Sequence, residues 1–169
     1  VRKKKKLSDY KSLIDLLIKI QKIKTKPQYK LGKNKVKIMK YSLSNLHKES
    51  DLFFDWYLKY TMKKKNVSKI KKILRVELNN IYKKLKFKND TFVHRDFHVS
   101  NIMYDKKKLG VIDSQDALIG NPLYDVASLI DDVRIKLPPI LQDKLFNYYY
   151  KSSKLKKENI QNLKNDFDI

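Results

Sequence analysis

Residues 92–116 constrain this 169-residue chain more than any other stretch. Phe92-Val93 is a short apolar piece that runs into His94-Arg95-Asp96. A second piece, Ile102-Met103-Tyr104, and a third, Leu109-Gly110-Val111-Ile112, flank a basic turn at Asp105 to Lys108. Apolar runs of this length, bounded by turn chemistry, give a strand, a loop and a β-hairpin. With the turn near Lys106, Asn101 opens one hairpin strand and Asp113 closes the other, so both stand at the same end. The remaining residues must supply a core against which this small β unit can be held.

They do so with helical periodicity. From Ser8, a plausible N-cap with Asp9 in the first turn, apolar residues at Leu13, Ile14, Leu16, Leu17, Ile20 and Ile23 predict an amphipathic helix ending before Pro27. Residues 27–35 carry Pro27, Gly32 and Asn34 and read as a loop. A helix is predicted from Ser44 to residue 62, its aromatic stripe of Phe53, Phe54, Trp56 and Tyr57 taken as core. A third, capped by Asn66 or Ser68, runs to Lys86 with Ile70, Ile73, Leu74, Val76, Leu78, Ile81, Tyr82 and Leu85 on its apolar face. Gly120-Asn121-Pro122 is a turn, followed by helices over about 123–134, 140–152 and 156–164. The expected fold is α+β and mostly helical, with residues 1–169 in a single domain.

Composition narrows the function classes. The formal net charge is +22, yet the basic residues extend from Arg2 to Lys164, and arginine occurs only at positions 2, 75, 95 and 134. Readers of nucleic acid favour the arginine fork, so the charge reads as a solvated lysine surface that favours anionic small molecules, without specific nucleic-acid binding. No cysteine is present, which removes disulfides and thiolate metal sites and suits a reducing cytoplasm. The apolar run Leu13 to Ile20 is broken by Asp15 and Lys19, so neither a membrane span nor an export signal is expected. The frayed basic run 1–6 begins with Val1 instead of methionine, which suggests a reading begun partway through a longer gene.

Within the central stretch, His94-Arg95-Asp96 followed by Asn101 fits the H-R-D-x-x-x-x-N loop of phosphoryl-transfer enzymes, with Asp113 where a second metal-holding aspartate belongs. Asp96, a short carboxylate on a tight loop, suits the base that accepts a substrate hydroxyl's proton. Asn101 and Asp113 are hard oxygen ligands suited to a magnesium ion carrying ATP. His94 is given a packing role that holds the loop. Arg95 can meet either a phosphate or a carboxylate, and His98 either a ligand or the loop itself. His94 and His98 do not make a metal site of their own, because magnesium prefers oxygen.

These residues resemble the aminoglycoside phosphotransferase and choline kinase superfamily, a protein-kinase-like fold. The stretches Val93–Met103, Gly110–Ala117, Ile119-Gly120 and Tyr124–Leu129 are similar to the bacterial N-acetylmuramate/N-acetylglucosamine kinases, and Glu49, Leu52-Phe53 and Trp56-Tyr57-Leu58 add agreement upstream. The similarity covers roughly residues 7–152. It implies transfer of the ATP γ-phosphate to the anomeric hydroxyl of an amino sugar in cell-wall recycling. Asp96 would then be base, Asn101 and Asp113 would hold magnesium and nucleotide, Asp125 would steady the loop, and Asp116 would support the loop or touch substrate. Ser114 departs from the phenylalanine usual after the metal aspartate, and His98 from the lysine usual in protein kinases. The resemblance also implies a catalytic C-terminal lobe alone, since no glycine-rich nucleotide-covering loop or strand lysine is found. The missing N-terminal lobe would come from an adjacent polypeptide. Two alternatives stand beside this: a kinase of aminoglycosides, choline or homoserine, and a non-catalytic lobe whose basic surface binds anions.

Overall fold

In the computed structural model, residues 7–26, 28–62, 64–86, 88–105 and 108–169 are described. The expected basic run 1–6 and the hairpin tip at Lys106-Lys107 lie outside these residues. Helix α1 (Leu7–Gln21) opens the chain. Strands β1 (Gln28–Leu31) and β2 (Asn34–Lys37) form an antiparallel hairpin where a loop was expected, turning through Gly32 at φ 61°. Only glycine takes that conformation without cost, and with no buried face on β2 the strand carried no alternation to read.

Helix α2 (Leu43–Leu52) is capped by Ser42, whose side chain accepts from Asn45 while Asn45 reaches back to the Ser42 backbone. The helix then widens into a π-helical segment, Phe53–Leu58, and closes with a short α3 (Lys59–Thr61). This corrects the expected aromatic core. Phe54 is 1% exposed, but Trp56 is 76% and Tyr60 93% exposed. An i→i+5 turn holds more residues per revolution than an α-helical one, so positions spaced for one α-helical face fan out around the axis.

Helix α4 (Lys64–Tyr82) packs Val67, Ile70, Leu74 and Leu78 on Phe54 and Leu58, while Ile73 and Val76 of its expected apolar face are exposed. Lys71 with Asp55, and Arg75 with Asp51, tie α4 back to the preceding helix.

The strand predicted at Phe92-Val93 is β3 (Thr91–Val93), and its partner is β6 (Leu118–Gly120), antiparallel with Phe92 opposite Ile119. Between them lies the hairpin β4 (Ile102–Asp105) and β5 (Lys108–Val111), with Ile102 opposite Val111. Gly120 is required by crowding: a Cβ there would sit 3.1 Å from both Leu118 Cδ1 and Val93 Cγ2. Gly120→Val is therefore expected to destabilise the protein by about 1–3 kcal/mol through overpacking, read as a lowered denaturant midpoint at unchanged slope.

Helices α5 (Tyr124–Ile130), α6 (Pro139–Ser152) and α7 (Ile160–Asp168) complete the fold. Helix α5 stops four residues before the predicted end. Asp132 Oδ1 accepts from the Arg134 backbone N–H at 3.0 Å and folds the chain into a local turn instead. At the C-terminus, Asn159 caps α7 by accepting from Gln161 and Asn162, so the last helix begins later than expected.

The main core joins Leu13, Ile14 and Leu17 of α1 to Val126, Leu129 and Ile130 of α5, Leu145 and Tyr149 of α6, and Leu163 of α7. Ile23, predicted to share this face, is 52% exposed. The result is a mostly helical α+β fold with three small antiparallel sheets. Among the described residues, no helix is long and apolar enough to cross a membrane.

Candidate active site

The loop after β3 is fastened to the helical core from below. Phe97 is fully buried in that core, and Val93 and His94 are 0% and 2% exposed. Asp125, at the start of α5 and itself fully buried, accepts from the His94 N–H at 2.8 Å and the Arg95 N–H at 2.9 Å, one on each carboxylate oxygen. Burial pushes the Asp125 carboxyl up to about pKa 6; the two N–H bonds oppose this and the nearby Asp96 carboxylate reinforces it. The support expected of Asp125 is thus visible as two hydrogen bonds to the loop backbone.

Arg95 adopts φ 75°, a left-handed conformation that a non-glycine residue holds only when its surroundings fix it. Glu49 of α2 is one of those surroundings, accepting from Arg95 Nη2 at 2.6 Å, and Tyr41 donates its hydroxyl to the other Glu49 oxygen. Of the two partners open to Arg95, the structure selects the carboxylate. Both side chains of the pair remain about a third exposed, so the contact adds geometry more than energy. The His94 ring packs edge-on to Phe97, and neither ring nitrogen has a well-formed hydrogen bond. Burial holds its pKa below the ordinary value, against the pull of Asp96 and Asp113, both near enough to favour the imidazolium.

Asp96 is half-buried, and its carboxylate accepts no hydrogen bond from the described residues, while its carbonyl accepts from Asn101 Nδ2 at 3.0 Å. The same Nδ2 lies 3.4 Å from His98 Nε2. With its nitrogen engaged on that side, the Asn101 amide turns its oxygen the other way, the assignment following from the network. The Ile112 N–H donates to the Asn101 carbonyl at 3.1 Å, extending the hairpin by one rung and setting Asp113 beside Asn101. Asp113 itself has φ 71°, is exposed, and accepts from Gln115 through one oxygen. Asp96, Asn101 and Asp113 are brought together at the junction of loop and hairpin; Asp116 is exposed in the turn beyond and makes no recorded contact among the described residues.

The donor set fits a hard divalent cation: one amide oxygen and one carboxylate with a second oxygen not engaged by a described residue. Among the described residues, no three His, Cys, Asp or Glu side chains gather as a metal cluster, so soft or imidazole-rich sites find no ligands here.

Sequence reasoning gave no role to Tyr41, Asp132 or Arg134, and noted Glu49 without one. Arg134 Nη1 lies 3.0 Å from His98 Nε2, and its Nε donates to Asp132 Oδ1 at 2.7 Å. The available signal was the scarcity of arginine in so lysine-rich a chain.

The model of the phosphotransferase enzyme family matches residues 7–156. The N-acetylmuramate/N-acetylglucosamine kinase of Neisseria meningitidis is 30% identical over 96 residues, which are 57% of this chain and 29% of that protein. The enzyme of the same name from Pseudomonas aeruginosa is 30% identical over 117 residues, 67% of this chain and 33% of its own length. The chain therefore spans about a third of the curated relatives it matches.

Proposed function

Because the chain belongs to the phosphotransferase enzyme family, we propose that it is the catalytic lobe, residues 1–169 as one domain, of a cytoplasmic ATP-dependent kinase acting on a small-molecule hydroxyl. The acceptor we assign is the anomeric hydroxyl of N-acetylmuramate or N-acetylglucosamine, after the two relatives so named. Their greater length supports a nucleotide-covering lobe contributed by an adjacent polypeptide. The observation that carries the reading is the loop–hairpin junction, where one asparagine binds the Asp96 carbonyl through its amide and the Asp113 strand through its backbone.

Asp96 takes the proton from the acceptor hydroxyl as its oxygen attacks the γ-phosphorus and the β–γ bridge opens. Asn101 and Asp113 would hold magnesium, which when bound neutralises phosphate charge. Asp125 and Glu49 act on the loop backbone and on Arg95, keeping Asp96 where a hydroxyl can reach it. An aminoglycoside or choline acceptor is disfavoured by net charge +22, which repels cations at long range.

The test is magnesium-dependent ATP consumption with each amino sugar, alongside Mg-ATP binding to wild type, Asn101→Ala and Asp113→Ala. Either substitution is expected to weaken Mg-ATP binding at least about tenfold, the loss of one charged or polar ligand contact. Unchanged binding in both variants overturns the assignment.

A further inference from the structure

Phosphate and acceptor charge must be met by protein cations at this site, and the catalytic loop's own arginine is unavailable. Arg95 is committed to Glu49. A second guanidinium reaches the loop from outside it: Arg134, in the turn after α5, touches His98 through Nη1 at 3.0 Å. His98 Nε2 is in turn 3.4 Å from the Asn101 amide, so one imidazole separates Arg134 from the candidate magnesium ligand.

Arg134 is also fixed on its other side. The Asp132 side chain is 2% exposed and accepts from both the backbone N–H and Nε of Arg134 through one oxygen, at 3.0 and 2.7 Å. Its second oxygen and His98 Nδ1 are buried without partners. A guanidinium carries five N–H donors in a planar fork. Nε and one proton of Nη1 are used by Asp132 and His98, which leaves three. The side chain is half exposed, so those three are open to a ligand from solvent while the fork is held from behind. A lysine could not be gripped at two points and still offer a pair of parallel donors.

We infer that Arg134 is an anion-binding residue of this site, its free guanidinium edge taking an oxyanion of a bound substrate. The inference rests on the phosphotransferase reading for the identity of that substrate. The shared chemistry is a bidentate arginine–oxyanion contact, and the oxyanion is either a nucleotide phosphate or the carboxylate that N-acetylmuramate carries and N-acetylglucosamine lacks.

The experiment titrates the full chain with inorganic pyrophosphate and, separately, with lactate, reading the Arg134 Nε resonance by NMR. A saturable shift with one of them supports the inference and names the source, provided Arg134→Gln binds that anion about 10- to 100-fold more weakly and Arg134→Lys recovers part of the loss. No shift with either, or equal affinity in Arg134→Gln, overturns it, since the lysine surface alone would then explain anion binding. The result is independent of turnover. A responding Arg134 in a chain that never consumes ATP would defeat the kinase assignment and leave the anion site standing. Where turnover is present, Arg134→Gln raises KM for Mg-ATP if phosphate is bound, or for N-acetylmuramate alone if carboxylate is bound. Equal KM increases for both amino sugars, with that for Mg-ATP unchanged, contradict the assignment.

Discussion

Asp96→Asn is expected to lower kcat by about two to four orders of magnitude while Mg-ATP affinity stays within a few-fold of wild type. The size follows from the role: a positioned base contributes in the transition state and adds little to ground-state binding. Asparagine keeps the shape and the loop's backbone contacts, because Asn101 and His98 bind the Asp96 carbonyl and leave its side chain alone. The carboxylate accepts no hydrogen bond from the described residues, so its removal strands no buried donor. Stability should therefore change by less than about 1 kcal/mol. Single-turnover phosphorylation of N-acetylmuramate, set beside a nucleotide titration, separates the two effects. A variant within fivefold of wild-type kcat would take the proton-accepting role away from Asp96.

The parts of this molecule legible in sequence were those set by local pattern. His94, Asp96, Asn101 and Asp113 stood in an order that dictates a loop and a hairpin, and the register of Ile102 against Val111 sets Asn101 and Asp113 beside each other. Helices α1 and α6 followed from apolar spacing because their partners bury them on one side. What escaped was decided by contacts distant in sequence. Glu49 meets Arg95 across 46 positions, and His98 meets Arg134 across 36, with no periodicity linking either pair. The β1–β2 hairpin escaped for the opposite reason: it buries so little that its residues carry no hydrophobic signature.

Arginine usage was the signal that could have been read. Arg75, Arg95 and Arg134 each grip a carboxylate, Asp51, Glu49 and Asp132 respectively. Where a chain otherwise uses lysine for charge, an arginine marks a place that needs a planar fork with several donors. Two of these three lie on or against the loop carrying Asp96. That concentration pointed to a structured polar site before any coordinates, whereas the lysines, spread over the whole length, pointed nowhere.

Asp125 sets stability against activity, and pH should expose the conflict. Its folded pKa is about 6 against an ordinary value of 3.8, raised chiefly by burial. A carboxyl raised on folding favours the native state while protonated, so its contribution is full at low pH and is lost as pH rises from about 4 through 6. The loss is on the order of 3 kcal/mol for a displacement of about two pKa units. Yet the ionised form is the one whose two oxygens hold the His94 and Arg95 amides, and with them the left-handed turn before Asp96. Asp125→Asn removes the charge penalty and sets an amide N–H against one of those backbone donors, a mismatch of about 1–3 kcal/mol. Wild type should accordingly be the more stable protein at pH 5, with the difference narrowing or reversing by pH 7.5. Across that same range the variant's kcat stays at least about tenfold low, because the loop is held by one bond instead of two. Thermal denaturation at both pH values, paired with turnover, reads the two trends. A stability difference that does not move with pH would mean that Asp125 titrates alike in the folded and unfolded chain, and the conflict would not exist.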